Sequence, residues 1–306
     1  MTQIFQHVQH YLMYFKERFP IAGALLYSAS LFYLSYFSAN LFHFHSPVNV
    51  LQSVCGCFVI FLVLLHLRLL DEHKDYEKDR RAYPERMLSK GTITLKDLRK
   101  LLYGVLFIEA GLSLALGINV FMIWLMVMLW SYLMYVEFFI PEFLNQRMGL
   151  YLISHQLIVP IIFMYGMIQR IQFPQKSIEE IGCLIMLFLA SICSTITFEI
   201  ARKTWSQEKE HECADSYTKS WGINKCIIIT QLSALLACMS FIGVFYVYQL
   251  PCIFILIGII LYLLFLSSEL LFKYHPSTKN SKYVEITGIL YMLGMFVTAS
   301  LGFYRL

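Results

Sequence analysis

The chain has 306 residues, of which 58% are hydrophobic and only 14% charged. A soluble domain carries nearer a quarter charged residues, so the composition excludes an ordinary water-soluble fold and leaves a polytopic membrane protein small enough for one bundle. The net charge of +4 comes without a basic stripe away from the segments that join apolar runs, which leaves no surface for nucleic acid.

Near the N-terminus, Ile4, Val8, Tyr11 or Leu12, and Phe15 fall on one helical face, followed by Lys16, Glu17, Arg18 and Pro20. The pattern predicts an amphipathic helix over residues 1–20, lying in the membrane interface or docked on the protein itself. No cleavable signal peptide is expected. From residue 21 to 306, runs of about twenty apolar residues recur, each long enough to span a bilayer. Spans are placed at 21–42, 47–70, 99–117, 119–138, 150–169, 178–201, 225–247, 250–272 and 283–304; the third and fourth are separated only by Gly117-Ile118-Asn119. The expected fold is all-α: a bundle of about nine transmembrane helices around a central cavity open to the cytoplasmic side.

With the N-terminus in the cytoplasm, every Lys and Arg except Arg170, Lys176 and Arg305 falls on the cytoplasmic side. By the positive-inside rule this sets the N-terminus in and the C-terminus out, in a membrane expected to be a bacterial inner membrane. Most cysteines (Cys55, Cys57, Cys183, Cys193, Cys238, Cys252) lie in apolar runs without a CxxC pair and read as packing residues.

The most charged stretch runs from Arg68 to Gly91, after the second span. Asp71, Asp75 and Asp79 recur every four residues, which on a helix puts three carboxylates on one face, about 6 Å of rise apart. Like charges so close call for a cation between them. Oxygen ligands at this spacing suit a hard ion such as Mg²⁺ that also takes substrate phosphates. A solvated loop neutralised by Lys74, Lys78, Arg80 and Arg81 gives the same composition; the position at the mouth of a bundle favours the metal. Arg86 and Lys90 follow, where cations would clamp a diphosphate. Thr94 and Asp97 are spaced as a helix cap.

A second charged connection, 199–225, follows the sixth span. Glu199 sits at the span's end with Arg202 and Lys203 three and four residues on, either as a self-satisfied pair or facing substrate. Glu208, Glu210, Glu212 and Asp215 read as a solvated acidic run. His43 and His45 form an HxH pair without a third ligand nearby. Glu109, Glu137 and Glu269 lie in or near spans.

Residues 71–91 resemble the UbiA superfamily of intramembrane prenyltransferases, whose pattern is Asn-Asp-x-x-Asp-x-x-x-Asp followed by Arg-Pro-Leu-x-x-Gly. Asp71 stands at the Asn position, and Glu72, Asp75 and Asp79 at the acidic ones. Arg86, Leu88 and Gly91 match the second part, with Met87 in place of Pro. Where the family carries an Asp-x-x-x-Asp type sequence, this chain has Glu199-x-x-x-Lys203. A charged lysine does not ligate Mg²⁺ but can contact phosphate. The resemblance implies a transferase moving a polyprenyl group from its diphosphate to a small, aromatic acceptor. Mg²⁺ would sit on Asp71, Glu72, Asp75 and Asp79, and phosphate on Arg86, Lys90, Arg202 and Lys203. Glu199 and Lys203 are the expected catalytic pair, and the implied partners are a polyprenyl diphosphate or related lipid phosphate, the acceptor, and membrane lipids. Phosphoribosyl transfer to a polyprenyl phosphate, a secondary transporter and an inactive scaffold are the alternatives.

Overall fold

The computed structural model describes residues 2–171, 177–210 and 216–306, with side chains from residue 9 onward. Ile4 and Val8 of the N-terminal apolar face therefore lie outside the described side chains, and Lys176, Glu212 and Asp215 lie outside the described residues.

Helix α1 (Thr2–Arg18) ends before Pro20, and α2 (Ile21–Ser38) follows at once. After a turn, α3 (Val50–Lys74) starts on Asn49, whose side chain accepts from the Gln52 amide at 3.1 Å. Helix α4 (Tyr76–Ala82) continues α3 after a break at Asp75. The expected cap at Thr94 opens α5 (Leu95–Leu116), with both arms of the capping box formed. A single residue, Gly117, joins α5 to α6 (Ile118–Tyr135). Its φ of +129° is open to glycine and strained for any L side chain, which is how so short a connection reverses the chain.

The short α7 (Pro141–Asn145) leads to α8 (Met148–Gln156) and α9 (Ile158–Met167). These two are one span broken at Leu157. Pro160 has no N–H to bond the Gln156 carbonyl four residues back, so the helix parts there. Then come α10 (Ile178–Arg202), the short α11 (Tyr217–Trp221), α12 (Ile223–Val247), α13 (Cys252–Tyr274) and α14 (Thr278–Tyr304).

Among the described residues, eight segments are long and apolar enough to cross a membrane: the segments of α2, α3, α6, α8 with α9, α10, α12, α13 and α14. The expected third span is α5. It is 22 residues long, about 33 Å of helix, but Lys96, Asp97, Arg99, Lys100 and Glu109 make it the least apolar of the nine. Each of these eight segments and α5 packs on the next in chain order, and α14 packs back on α2, closing a ring. Helices α2 and α9 approach so closely that a Cβ on Gly166 would meet the Ser35 side chain and come within 3.2 Å of the Phe32 carbonyl oxygen.

The main apolar core runs through this ring, from Phe32 and Tyr36 on α2 to Phe241 on α12 and Phe296 on α14. A second cluster sits at the charged end. There α1 places Tyr14, with Phe19 just beyond it, against Leu62 and Leu69 of α3 and Leu98 and Leu102 of α5. Helix α1 is thus docked on the bundle along one face, while Leu12 and Met13 remain exposed on the other.

At the opposite end, Arg170 is buried. It donates to the Ser46 and Tyr36 carbonyl oxygens at 2.9 and 3.2 Å and fixes the α2–α3 turn to the end of α9. The two histidines of the HxH pair part company: His43 contacts Glu180 at 3.0 Å, whereas His45 contacts the Phe42 carbonyl oxygen at 2.7 Å. All seven described cysteines are free.

Candidate functional site

The charged ends of α3 and α10 face each other across a cavity of ≈ 570 Å³. The break at Asp75 leaves the backbone bonds from Asp75 to Asp71 and from Asp79 to Asp75 intact at 2.8 Å each. The four-residue repeat therefore stays in register, and Asp71, Asp75 and Asp79 all line the cavity. Asp71 and Asp75 leave their carboxylates without a hydrogen bond or ion pair among the described residues.

Glu72 and Asp79 are engaged differently. Arg18, at the end of α1, donates from Nε to Glu72 at 2.7 Å and from an Nη to Asp79 at 2.7 Å. Arg68 adds a contact to Glu72 at 2.8 Å and Arg86 one to Asp79 at 2.6 Å. Glu72 is 2% exposed and is not among the cavity-lining residues, so the structure does not bring it onto the wall that carries Asp71, Asp75 and Asp79. One residue along a helix is a rotation of about 100°, which turns Glu72 away from the face of its neighbours. Lys90 lies exposed on the turn after Arg86, outside the cavity.

The two guanidiniums at Asp79 shift in opposite senses. Burial works against the charge of Arg18, but its bond to Glu72 and the charges of Glu72 and Asp79 outweigh this and hold it above its ordinary value. Burial, then the charge of Arg18 beside it, push Arg86 down. Arg86 also lies over the Tyr83 ring, 3.5 Å from its centroid.

On the facing wall, Glu199 is clamped by its own helix. Arg202 contacts it at 2.5 and 2.8 Å and Lys203 at 3.2 Å. All three line the cavity, with Arg202 the most open, at 44% exposure. The self-paired arrangement is thus the one adopted, and it turns the end of α10 into a net cationic wall. Glu208 and Glu210 stay out of the cavity. Glu208 accepts from Thr278 at 2.9 Å and Glu210 from Ser216 at 3.0 Å, tying the loop after α10 to α14 and α11.

Several cavity residues carried no signal in the sequence. Arg18 arrives from the N-terminal helix, while Tyr27, Tyr83, Tyr135, Tyr151 and Tyr217 give the walls an aromatic face. Lys74 donates to the Tyr151 hydroxyl at 3.0 Å. The α8–α9 break brings His155, Gln156, Ile158 and Val159 to the cavity, and Pro160 was the available cue. A second cavity of ≈ 380 Å³ shares Tyr27, Leu64, Leu67, Asp71, Glu199 and Arg202 and extends along Phe19, Thr195 and Phe198.

Below the acids, Glu109 finds the partner its burial demands. His66 Nδ1 lies 2.8 Å from Glu109, Trp124 donates to it at 2.9 Å, and His66 Nε2 lies 3.0 Å from the Ser131 hydroxyl. The group ties α3, α5 and α6 together. Glu137 sits 4.0 Å from Lys74, and Glu269 accepts from Gln231 at 2.6 Å.

The donor set fits one hard divalent cation. Among the described residues, no three His, Cys, Asp or Glu side chains gather into a group that could hold a metal by themselves. Asp71 and Asp75 do offer two unpaired carboxylates on one wall, and Mg²⁺ commonly takes one or two carboxylates and completes its shell with phosphate oxygens and water.

No protein-family model matches the chain, and no curated protein matches it. Its structure is similar to that of a digeranylgeranylglyceryl phosphate synthase, with a TM-score of 0.67 at 19% identity over 97% of this chain and 100% of the other. It is also similar to a UbiA homologue from Aeropyrum pernix K1 in its apo form, with a TM-score of 0.66 at 12% identity over 92% and 97% of the two chains. A UbiA homologue from Archaeoglobus fulgidus bound to GPP and Mg²⁺ gives a TM-score of 0.52 at 15% identity over 92% and 99%. The helical bundle read from the sequence is therefore the bundle of the UbiA homologues, and the chain has their fold over nearly its whole length.

Proposed function

We propose that the chain is an intramembrane transferase that moves a prenyl group from its diphosphate to a small acceptor. The observation that carries this is the pairing of walls: unpaired Asp71 and Asp75 on α3 opposite the cationic Arg202–Lys203 end of α10, across one cavity. A diphosphate has the charge to sit between them. Asp71 and Asp75 would hold a divalent cation, which would supply neutralisation of the diphosphate and so make it a better leaving group.

The protein's own residues do the rest. Arg202, Lys203 and Arg86 bind the phosphate oxygens, and Glu199 fixes the Arg202 and Lys203 side chains in place. Leu64, Leu67, Phe19 and Phe198, on the apolar side of the adjoining cavity, take the hydrocarbon tail. The tyrosine faces stabilise positive charge developing on the allylic carbon. The walls, lined by aromatic and aliphatic side chains, limit the water that would otherwise capture that carbon. The bound GPP and Mg²⁺ of the Archaeoglobus fulgidus homologue support the same ligand class here. The distribution of Lys and Arg supports an N-terminus facing the cytoplasm.

The test is the melting temperature of the detergent-solubilised chain with geranyl diphosphate, with and without Mg²⁺, in the wild type and Asp75→Asn. A rise that needs both ligands and is lost in the variant is the expected result. A wild type that does not respond ends the reading.

A further inference from the structure

We infer that the donor of this site is a short prenyl diphosphate, of two isoprene units and no more. The inference rests on the prenyl-transfer reading above and sets the length of its donor.

The limit comes from where the walls end. Both cavities run inward from the acids, and their deepest lining residues are Tyr27 on α2, Leu64 on α3, Ser131 on α6, Ile162 on α9 and Thr195 on α10. One helical turn further in stand Leu31, Ile60, Val127, Gly166 and Ser191. All five are buried, and none lines either cavity. Gly166 marks the close approach of α9 to α2, and Phe32 and Phe163 fill the same layer of the main core. Every wall therefore ends on packed side chains.

The sides are closed as well. Helix α2 packs on α3 and α9, and α9 packs on α6 and α10. Helix α14 packs on both α2 and α10, and no residue of α14 lines either cavity. A tail that starts at the diphosphate is turned inward, against the floor.

The floor also suits a hydrocarbon. The Ser131 hydroxyl bonds the Val127 carbonyl oxygen at 2.8 Å and lies 3.0 Å from His66 Nε2. The Thr195 hydroxyl bonds the carbonyl oxygens of Ser191 and Ile192 at 3.1 and 2.9 Å. Both polar side chains are satisfied by the protein, so an apolar chain end meets no atom that needs a partner.

The depth can be counted along the helices. Leu64 precedes Asp71 by seven positions on one helix, which is about 10 Å of rise. An extended peptide gains about 1.2 Å per bond, so the four in-line bonds of an isoprene unit span about 5 Å. Two units reach from the level of Asp71 to the floor. A third finds no apolar wall and must fold back toward Asp71, Arg202 and Lys203.

The test titrates the full chain in detergent, at fixed Mg²⁺, with dimethylallyl, geranyl, farnesyl and geranylgeranyl diphosphates, and reads the melting temperature. In the wild type, affinity is expected to rise about 100-fold from dimethylallyl to geranyl, as five more carbons enter apolar space. It is expected to fall about tenfold from geranyl to farnesyl, whose extra unit overpacks the floor. Two variants move the floor in opposite senses. Ile162→Ala deepens it and should raise the farnesyl-to-geranyl affinity ratio about fivefold; Leu64→Phe fills it and should lower the geranyl-to-dimethylallyl ratio about tenfold. Each ratio is taken within one protein, so a general loss of stability does not imitate the result. Partition into micelles is common to all three proteins and cancels between them. Farnesyl and geranylgeranyl diphosphates binding the wild type as tightly as geranyl diphosphate would mean that the tail leaves sideways into lipid, and overturns the proposal. Ratios unchanged in the variants overturn it too. Failure of the prenyl-transfer reading looks different: none of the four diphosphates then stabilises the wild type.

Discussion

Arg18 and Asp79 stand 61 positions apart in the chain and 2.7 Å apart in the fold. The same guanidinium bonds Glu72, so one residue of the N-terminal helix bridges two carboxylates of the acidic stretch. Arg18→Ala leaves the buried Glu72 with Arg68 alone. It is expected to lower stability by about 2 kcal/mol, seen as a lower melting temperature in detergent. Arg18→Lys should recover only part, since an ammonium cannot make the forked contact.

Glu72 and Asp75 are expected to fail in opposite ways. Glu72→Gln weakens a buried ion-pair group, so basal melting falls while the Mg²⁺-dependent response to geranyl diphosphate stays. Asp75→Asn removes an unpaired carboxylate, so basal melting holds or rises while that response goes. Paired thermal scans with and without the two ligands separate them.

Arg202→Ala removes a half-exposed guanidinium from the cationic wall and frees Glu199 from one of its two partners. Affinity for geranyl diphosphate, titrated at fixed Mg²⁺, is expected to fall about tenfold, the size of one charge-assisted hydrogen bond.

Gly117→Ala tests the one-residue connection between α5 and α6. Nothing stands within 4 Å of the added methyl, so sterics with neighbours are absent and only the backbone strain at φ +129° remains. A loss of about 1–3 kcal/mol is expected in equilibrium unfolding.

Orientation is open to labelling. Cys252 is exposed at the start of α13, and Lys90 is exposed at the charged end of the bundle. In right-side-out vesicles an impermeant maleimide should label Cys252 and spare a cysteine placed by Lys90→Cys; the reverse pattern inverts the topology.

The parts of this arrangement that are local in sequence were legible there. The Asp71–Asp75–Asp79 repeat, the Thr94–Asp97 cap and the apolar runs each depend on neighbours within a turn or a span. Glu72 was harder to place, because a motif treats adjacent letters alike, whereas a helix sends them to different faces. The cavity role of Arg18 could not be read, because it depends on α1 docking against α3 and α5. Glu109 was legible as an acid within a span, but its partner His66 lies 43 positions away and nothing local in the sequence points to it. His155 lies in an apolar run without a charge pattern, so its place at the cavity shows only once the break between α8 and α9 is known.

The docking of α1 also bears on how the bundle is made. A chain is synthesised from its N-terminus, so Arg18 exists before Glu72 and Asp79 leave the ribosome. When the end of α3 is made, Glu72 and Asp79 therefore have a counter-ion already present in the chain. Arg202 and Lys203 come much later, on the same helix as Glu199, and neutralise it without outside help. Among the described acids that line the cavity, Asp79 and Glu199 each have a cation made earlier or on the same helix, and Asp71 and Asp75 are the two left for a ligand that arrives after assembly.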